Sequence, residues 1–313
     1  MSGQWIKRIY LGLLGALWIG GAFAQEAAIT HQGGFGLAGT TANQVDGVLG
    51  MDTNPAALGM IRSWEFVGGY TGQGRQSAGA LATGFRLFGP FSFGFGTHIG
   101  DTGATRLGGV FALGDDAFSL GFQVWGMAGK TQLTDSSSTG LDLGLTLRPA
   151  WWMALSSTLK NANGPHVDGN AQGAVGTIDL GIRPYWERLT LGAGLVVPVD
   201  ESDRWHPRFQ LTTRLLNGFH FGGSLTRGDS VDASGERADE WTTGFHLGVD
   251  FSDTMSVFGG WSTPPGEATQ VQTAIRFSGE EHAPLLSRTG TWAKVNLATL
   301  SELSLIHIPS PRD

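Results

Sequence analysis

The chain has 313 residues, 50 of them Gly and none Cys, with a formal net charge of -7, enough length for one large or two ordinary domains. So much glycine argues against a helical protein, because glycine weakens helix interiors, and the lack of a Gly-X-Y period excludes collagen. Mild acidity without a Lys/Arg cluster argues against nucleic-acid binding, and the missing cysteines rule out disulfides and thiolate metal sites without fixing the compartment.

The N-terminus fixes a route. Lys7 and Arg8 form a short positive region, Ile9 to Ile19 is apolar, and Ala22-Phe23-Ala24 is a small-x-small cleavage signal before Gln25. That is a secretory signal peptide over residues 1–24; the alternative, an uncleaved anchor, is disfavoured because the apolar run is too short to span comfortably. No later stretch reaches the roughly 18 apolar residues of a membrane helix. The mature chain is therefore either soluble outside the cytoplasm or a membrane barrel. "GGFGLAG" next places Gly34, Gly36 and Gly39 in G-x-G-x-x-G spacing. It lacks the preceding strand that a nucleotide site requires, so it is not read as one. In "TNPAALG", Asn54 can cap, Pro55 suits the first helical position, Ala56, Ala57 and Leu58 favour helix, and Gly59 can close the turn.

From Trp64 the sequence alternates. "AFSLGFQVW" sets Phe118, Leu120, Phe122 and Val124 against Ser119, Gly121 and Gln123. "LDLGLTLR" sets Leu141, Leu143, Leu145 and Leu147 against Asp142, Gly144, Thr146 and Arg148. "TIDLGIR", "RFQLTTRL" and "WTTGFHLGVD" repeat the pattern, one face apolar and one polar, the signature of strands. About fourteen such segments lie between Trp64 and Phe277, many long enough to match the roughly 9 to 11 residues of tilted membrane strands. Short turns ("LGDD", "RPAW", "LNG", "FSD") alternate with longer polar loops ("KTQLTDSSST", "NANGPHVDGNAQG", "DESDRWHP", "GDSVDASGERADE"). Outer-membrane barrels alternate short periplasmic turns with long outer loops in this way.

The competing reading is a soluble β-sandwich or propeller. Against it stands the polar face, whose charges a packed interior would not take unpaired and a wet or salt-bridged lumen would. Candidate lumen residues are Glu65, Arg86, His98, Arg106, Gln123, Asp142, Arg148, Asp179, Arg183, Arg208, Gln210, Arg214, His246, Asp250 and Arg276. Opposed Arg and Asp on neighbouring strands are expected to pair and stiffen the wall. Trp64, Trp151, Trp152, Trp186, Trp241 and Trp261 fall near strand ends, as in interfacial girdles. His98, His220 and His246 fall on the polar face and read as solvated side chains rather than metal ligands; Asp115 and Asp116 read as a polar turn. No hydrolase, zinc-protease or EF-hand motif is present, so neither enzyme activity within this stretch nor a cofactor is expected.

"GGFGLAGTTANQVDGVLGMDTNPAALG" resembles the N-terminal region of FadL-type outer-membrane transporters and their PorV-like relatives. In that family a Gly-rich lead and an Asn-Pro-Ala turn precede the first strand and fold into the lumen as a hatch. The resemblance maps the hatch motif to Asn54, Pro55 and Ala56, and implies a fourteen-strand barrel in the outer membrane of a Gram-negative bacterium. It implies passive passage of a small or hydrophobic solute, or, as in the PorV-like branch, a secretion or assembly barrel that docks a partner protein. The chain departs from the family in its modest outer loops and few bulky apolar inner-face residues, which argues against a dedicated fatty-acid pocket.

After Phe277 the alternation stops. "SGEEHAPLLSRTG" reads as a linker and "TWAKVNLATL" as a further strand of something new. "LSLIHIPSPRD", from Leu303, back-translates to a sequence resembling a transposase adapter end with one base missing, so the gene is expected to continue. A barrel-like region preceding an exported peptidase of the SppA type is an analogous arrangement. The expected organisation is a signal peptide at 1–24, a hatch segment at 25–62, and an all-β, antiparallel transmembrane barrel at 63–278. A linker at 279–290, the start of a truncated domain at 291–302 and an artefactual tail at 303–313 follow. Outer-membrane lipid is the expected surrounding.

Overall fold

The computed structural model describes residues 45–279 apart from 74–75, 101–104, 129–137, 168–169, 186–187, 200–204, 217, 232–236, 253 and 264–268. The expected signal peptide, the glycine spacing at 34–39, Trp186, and everything expected after residue 279 lie outside the described residues. Strands run in chain order as β1 Trp64–Gln73, β2 Gln76–Phe88, β3 Phe91–Gly100, β4 Thr105–Gly114, β5 Phe118–Ala128, β6 Ser138–Ala150, β7 Met153–Lys160, β8 His166–Val167 and β9 Asn170–Ala171. They continue as β10 Val175–Tyr185, β11 Leu189–Pro198, β12 His206–Leu216, β13 Phe219–Val231, β14 Arg237–Ser252, β15 Met255–Thr263 and β16 Gln270–Ser278.

Fourteen of these strands close into one barrel, each antiparallel to its chain neighbour, and β1 pairs with β16 from Glu65↔Ser278 to Gln73↔Gln270 to complete the ring. The small β8–β9 hairpin stands apart from the ring. Closure leaves no unpaired edge, which an open sheet would have to protect. The connections at one end of the barrel are two or three residues long, and most at the other end are longer. These ends are called the turn end and the loop end below. Register shifts at Arg86/Phe88, Leu147/Ala150, Ile182/Tyr185, Arg214/Leu216 and Asp250/Ser252 all fall at the turn end, where bulges let the strands bend into tight connections.

The alternation read from the sequence becomes an inversion of ordinary protein burial. On β5, Phe118, Leu120, Phe122 and Val124 are exposed while Ser119 and Gln123 are buried. On β10, Ile178, Leu180 and Ile182 are exposed while Thr177, Asp179 and Arg183 are buried. The outer face also carries Trp64, Trp151, Trp152, Trp241 and Trp261. Trp241 corrects the strand-end reading: it sits within β14, stacked on Phe209 with ring centroids 6.4 Å apart.

Half of the buried apolar cluster comes from residues that precede the barrel. Val45, Val48, Leu49, Met51, Leu58 and Ile61 cluster with Val67, Ala82, Val110, Ala112, Phe258 and Ala274 from the inner face. Full burial of one such Leu or Ile side chain is worth about 1.5–3 kcal/mol, so this segment is anchored by its apolar side chains before any polar contact is counted.

Candidate functional site

Residues 45–61 form a re-entrant segment inside the ring. Asp46 lies near the turn end, ion-paired with Arg148 at the end of β6. The chain then makes a 3-10 turn at Val48–Gly50 and reaches towards the loop end at Asp52. It returns through a second 3-10 turn, Pro55–Met60, to Trp64 at the start of β1. The Gly47 N–H donates to the Ala57 carbonyl at 2.9 Å and ties the two limbs together. The Val48 N–H donates to Glu65 Oε2 at 2.9 Å and fixes the incoming limb to β1.

The Asn-Pro-Ala turn has the local physics read from its sequence. Asn54 is extended and its Oδ1 accepts the Ala56 N–H at 3.0 Å, while Pro55 occupies the first helical position, where no N–H is needed. What holds it is tertiary: Asn54 Nδ2 donates to Thr146 Oγ1 at 2.9 Å, and Ser119 Oγ donates to the Ala56 carbonyl at 2.7 Å. Gly121 brings β5 so close that a Cβ there would fall 2.3 Å from the Pro55 carbonyl carbon, and a Cβ on Gly144 would collide with Asn54. Gly59 does not close the turn, contrary to the sequence reading. The turn runs on to Met60, Ile61 is the extended cap, and Gly59 is small because Ser119 Oγ lies against it.

At the tip, Asp52 is gripped by three consecutive strands. One carboxylate oxygen lies 2.9 Å from His98 Nε2 of β3; the other accepts from Gln123 Nε2 of β5 at 2.9 Å and from Arg106 of β4 at 3.5 Å. Arg106 also faces Asp142 of β6 at 3.8 Å and lies 5.1 Å from the centre of the Trp125 ring. Burial pushes the Asp52 carboxyl up, but the neighbouring His98 and Arg106, with the His98 and Gln123 hydrogen bonds, outweigh it and hold the group well below the usual carboxylate range.

The remaining candidates are spread around the wall. Asp179 of β10 is ion-paired to Arg208 of β12. Asp250 of β14 meets His220 Nε2 at 2.6 Å and accepts from Ser256 at 2.7 Å. Arg276 is buried, 5.5 Å from the Phe258 ring centre. Gln210 and His246 are buried and Arg214 is half-buried, all on inward-facing rows. Arg86 continues the inward-facing row of Ala82 and Gly84 at the turn end, half-exposed, and donates to the carbonyls of Gly89 and Gly59, each at 2.7 Å. Arg183 likewise reaches the Trp151 carbonyl at the turn end, 3.3 Å away.

The expected pairing of opposite charges on adjacent strands takes a different form. Asp179 and Arg208 are separated by β11, where the intervening residue in register is Gly194. A side chain at Gly194 would occupy the space in which the two ions meet. Arg106 and Asp142 similarly meet across β5. The sequence reading also passed over Asp46, Asp52 and Trp125. The available signal for Asp52 was a lone charge within the otherwise uncharged "VLGMDTNPAALGMI". Among the described residues, no group of three His, Asp or Glu side chains could hold a metal ion.

No family model and no curated protein matches the chain. Solved structures do. The Pseudomonas putida toluene transporter TodX matches with a TM-score of 0.55 at 10% identity, covering 78% of this chain and 98% of that one. The fold is that of an outer-membrane β-barrel. A TodX monoaromatic hydrocarbon channel deltaS2 mutant gives 0.57 at 10% identity over 79% of this chain and 97% of that one. The CymD monoaromatic hydrocarbon channel gives 0.50 at 11% identity over 79% and 98%. At such identities the likeness is one of architecture.

Proposed function

We propose that this barrel is embedded in a bacterial outer membrane and is a passive, gated channel for small solutes, with residues 45–61 as its hatch. The observation that carries the reading is the inversion around a closed ring: apolar side chains face out along the strands while Arg, Asp, His and Gln face in. A lipid belt outside and a polar bore inside are the conditions under which that arrangement lowers free energy. Structural similarity to TodX and CymD, themselves a toluene transporter and a hydrocarbon channel by name, supports the same class. The hatch is a seat-and-cork arrangement, in which solute passes when residues 45–61 shift. The chain carries no catalytic role in this reading.

The test is reconstitution into liposomes. Wild-type protein is expected to admit small sugars slowly, and a variant lacking residues 45–61 to admit them at least about tenfold faster; equal and negligible uptake by both would sink the channel reading. One observation favours a second reading. With the segment docked, inner-face residues on both sides of the bore, from Gln123 to His246, are almost wholly inaccessible. A permanently closed barrel of that kind suits the PorV-like role of docking a secretion partner, and would show itself by zero uptake together with a stoichiometric partner in detergent extracts.

A further inference from the structure

The Asp52 carboxylate meets three side chains of the wall. His98 and Gln123 each place a side-chain nitrogen 2.9 Å from it, and Arg106 approaches to 3.5 Å with its guanidinium backed by Trp125. Two oxygens of one planar anion are thus met by donors from β3, β4 and β5. Asp52, in contrast, belongs to a segment that joins no barrel ladder and is held by side-chain packing and scattered hydrogen bonds.

The charges at the seat make the occupant matter. Besides His98, the charged groups around Asp52 among the described residues are Arg106, Asp142 and the half-buried Lys160, within their electrostatic reach. With Asp52 present, two carboxylates face Arg106. Without it, only Asp142 remains beside Arg106, and the side-chain nitrogens of His98, Gln123 and Arg106 converge on a place without an acceptor. Such a site recruits an anion, because the cost of leaving buried cations uncompensated is large. Asp142 keeps one negative charge on the spot, which favours a monoanion over a phosphate dianion. Beside the seat, Gly96 and Ala82 form a flat apolar patch now covered by the Met51 side chain.

We propose that His98, Arg106 and Gln123 form a binding subsite for the carboxylate of a small organic acid with a short apolar body, and that Asp52 is an internal stand-in for that ligand. A solute acid and the hatch tip then compete for one seat, so the solute itself holds the hatch open. The subsite rests on the channel reading in one respect, that the segment leaves its seat.

The experiment uses the purified full-length protein in detergent. In Asp52→Ala the seat is empty, and sodium acetate is expected to raise its melting temperature by about 3 °C or more over equal ionic strength of chloride, with acetamide inactive. Adding Arg106→Gln should abolish the shift. Acetate acting no better than chloride or acetamide would overturn the proposal. Should Asp52→Ala not fold, Asp52→Asn keeps the tip's size while weakening its hold. Combined with Thr53→Cys, the sole thiol in a chain without cysteine, it reports hatch release by maleimide labelling. Acetate should accelerate labelling at least about fivefold, and an unchanged rate counts against the subsite. Acetate binding by a protein that never conducts would leave the subsite standing and remove the channel, whereas a conducting barrel indifferent to acetate would do the reverse.

Discussion

At the residue scale, small side chains decide whether residues 45–61 can dock. Gly121 and Gly144 leave room for the backbone of Asn54–Ala56, and Gly59 leaves room for Ser119. Gly121→Val should expel the turn while the wall persists. Limited proteolysis is expected to cleave within residues 45–61 at least about tenfold faster than in wild type, with strand content by circular dichroism unchanged. The capping role of Asn54 was legible because it is a local property of three residues. The spacing role of Gly59 was not, since its partner is sixty residues away. Asp52 carries a pH signature. Its folded-state carboxyl titrates below that of the unfolded chain, so its contribution is fully present above the ordinary aspartate value of about 3.9 and is lost as pH falls below it. Docking measured by the same proteolysis should weaken as pH falls below that value, and Asp52→Asn should flatten this acid limb.

At the scale of elements, pairs of strands cooperate over the one between them. Asp179, Gly194 and Arg208 lie in a row across β10, β11 and β12, and the glycine is the gap that lets the ions meet. Removing one partner of a pair this buried strands the other, so Arg208→Gln should cost about 3–5 kcal/mol in a urea titration of the folded barrel, and Asp179→Asn with Arg208→Gln together less than the sum. A side chain at position 194 is expected to mimic the single loss. Which residues face inward was legible from alternation alone, because the strand period is two. Who meets whom was not, because register between strands depends on turn lengths and bulges that the pattern does not encode. Arg86 shows the same limit: its inward row was legible, but its partner, the Gly59 carbonyl of the re-entrant segment, was not.

At the scale of the whole molecule, burial is turned inside out, and solubility follows. The chain freed of residues 1–24 should be monodisperse in detergent and aggregate on its removal, as followed by light scattering; a monodisperse sample in plain buffer would mean that the outer belt is not lipid-facing. Strand number and the alternation of short and long connections were legible, because each is set by hydrophobic periodicity and turn composition along the chain. Closure between β1 and β16 was expected only through the barrel reading of the turns, loops and polar face, and the depth to which residues 45–61 penetrate has no one-dimensional trace.

That depth has a bearing on assembly. The two 3-10 turns rest on β1 to β6, while Phe258 and Ala274 of β15 and β16 complete the apolar cluster beside them. An open half-sheet made from the first six strands therefore already offers the segment most of its seat, before a ring exists. The last strands to be made then zip against β1 and seal a chamber that is already occupied, so a newborn barrel need never be hollow.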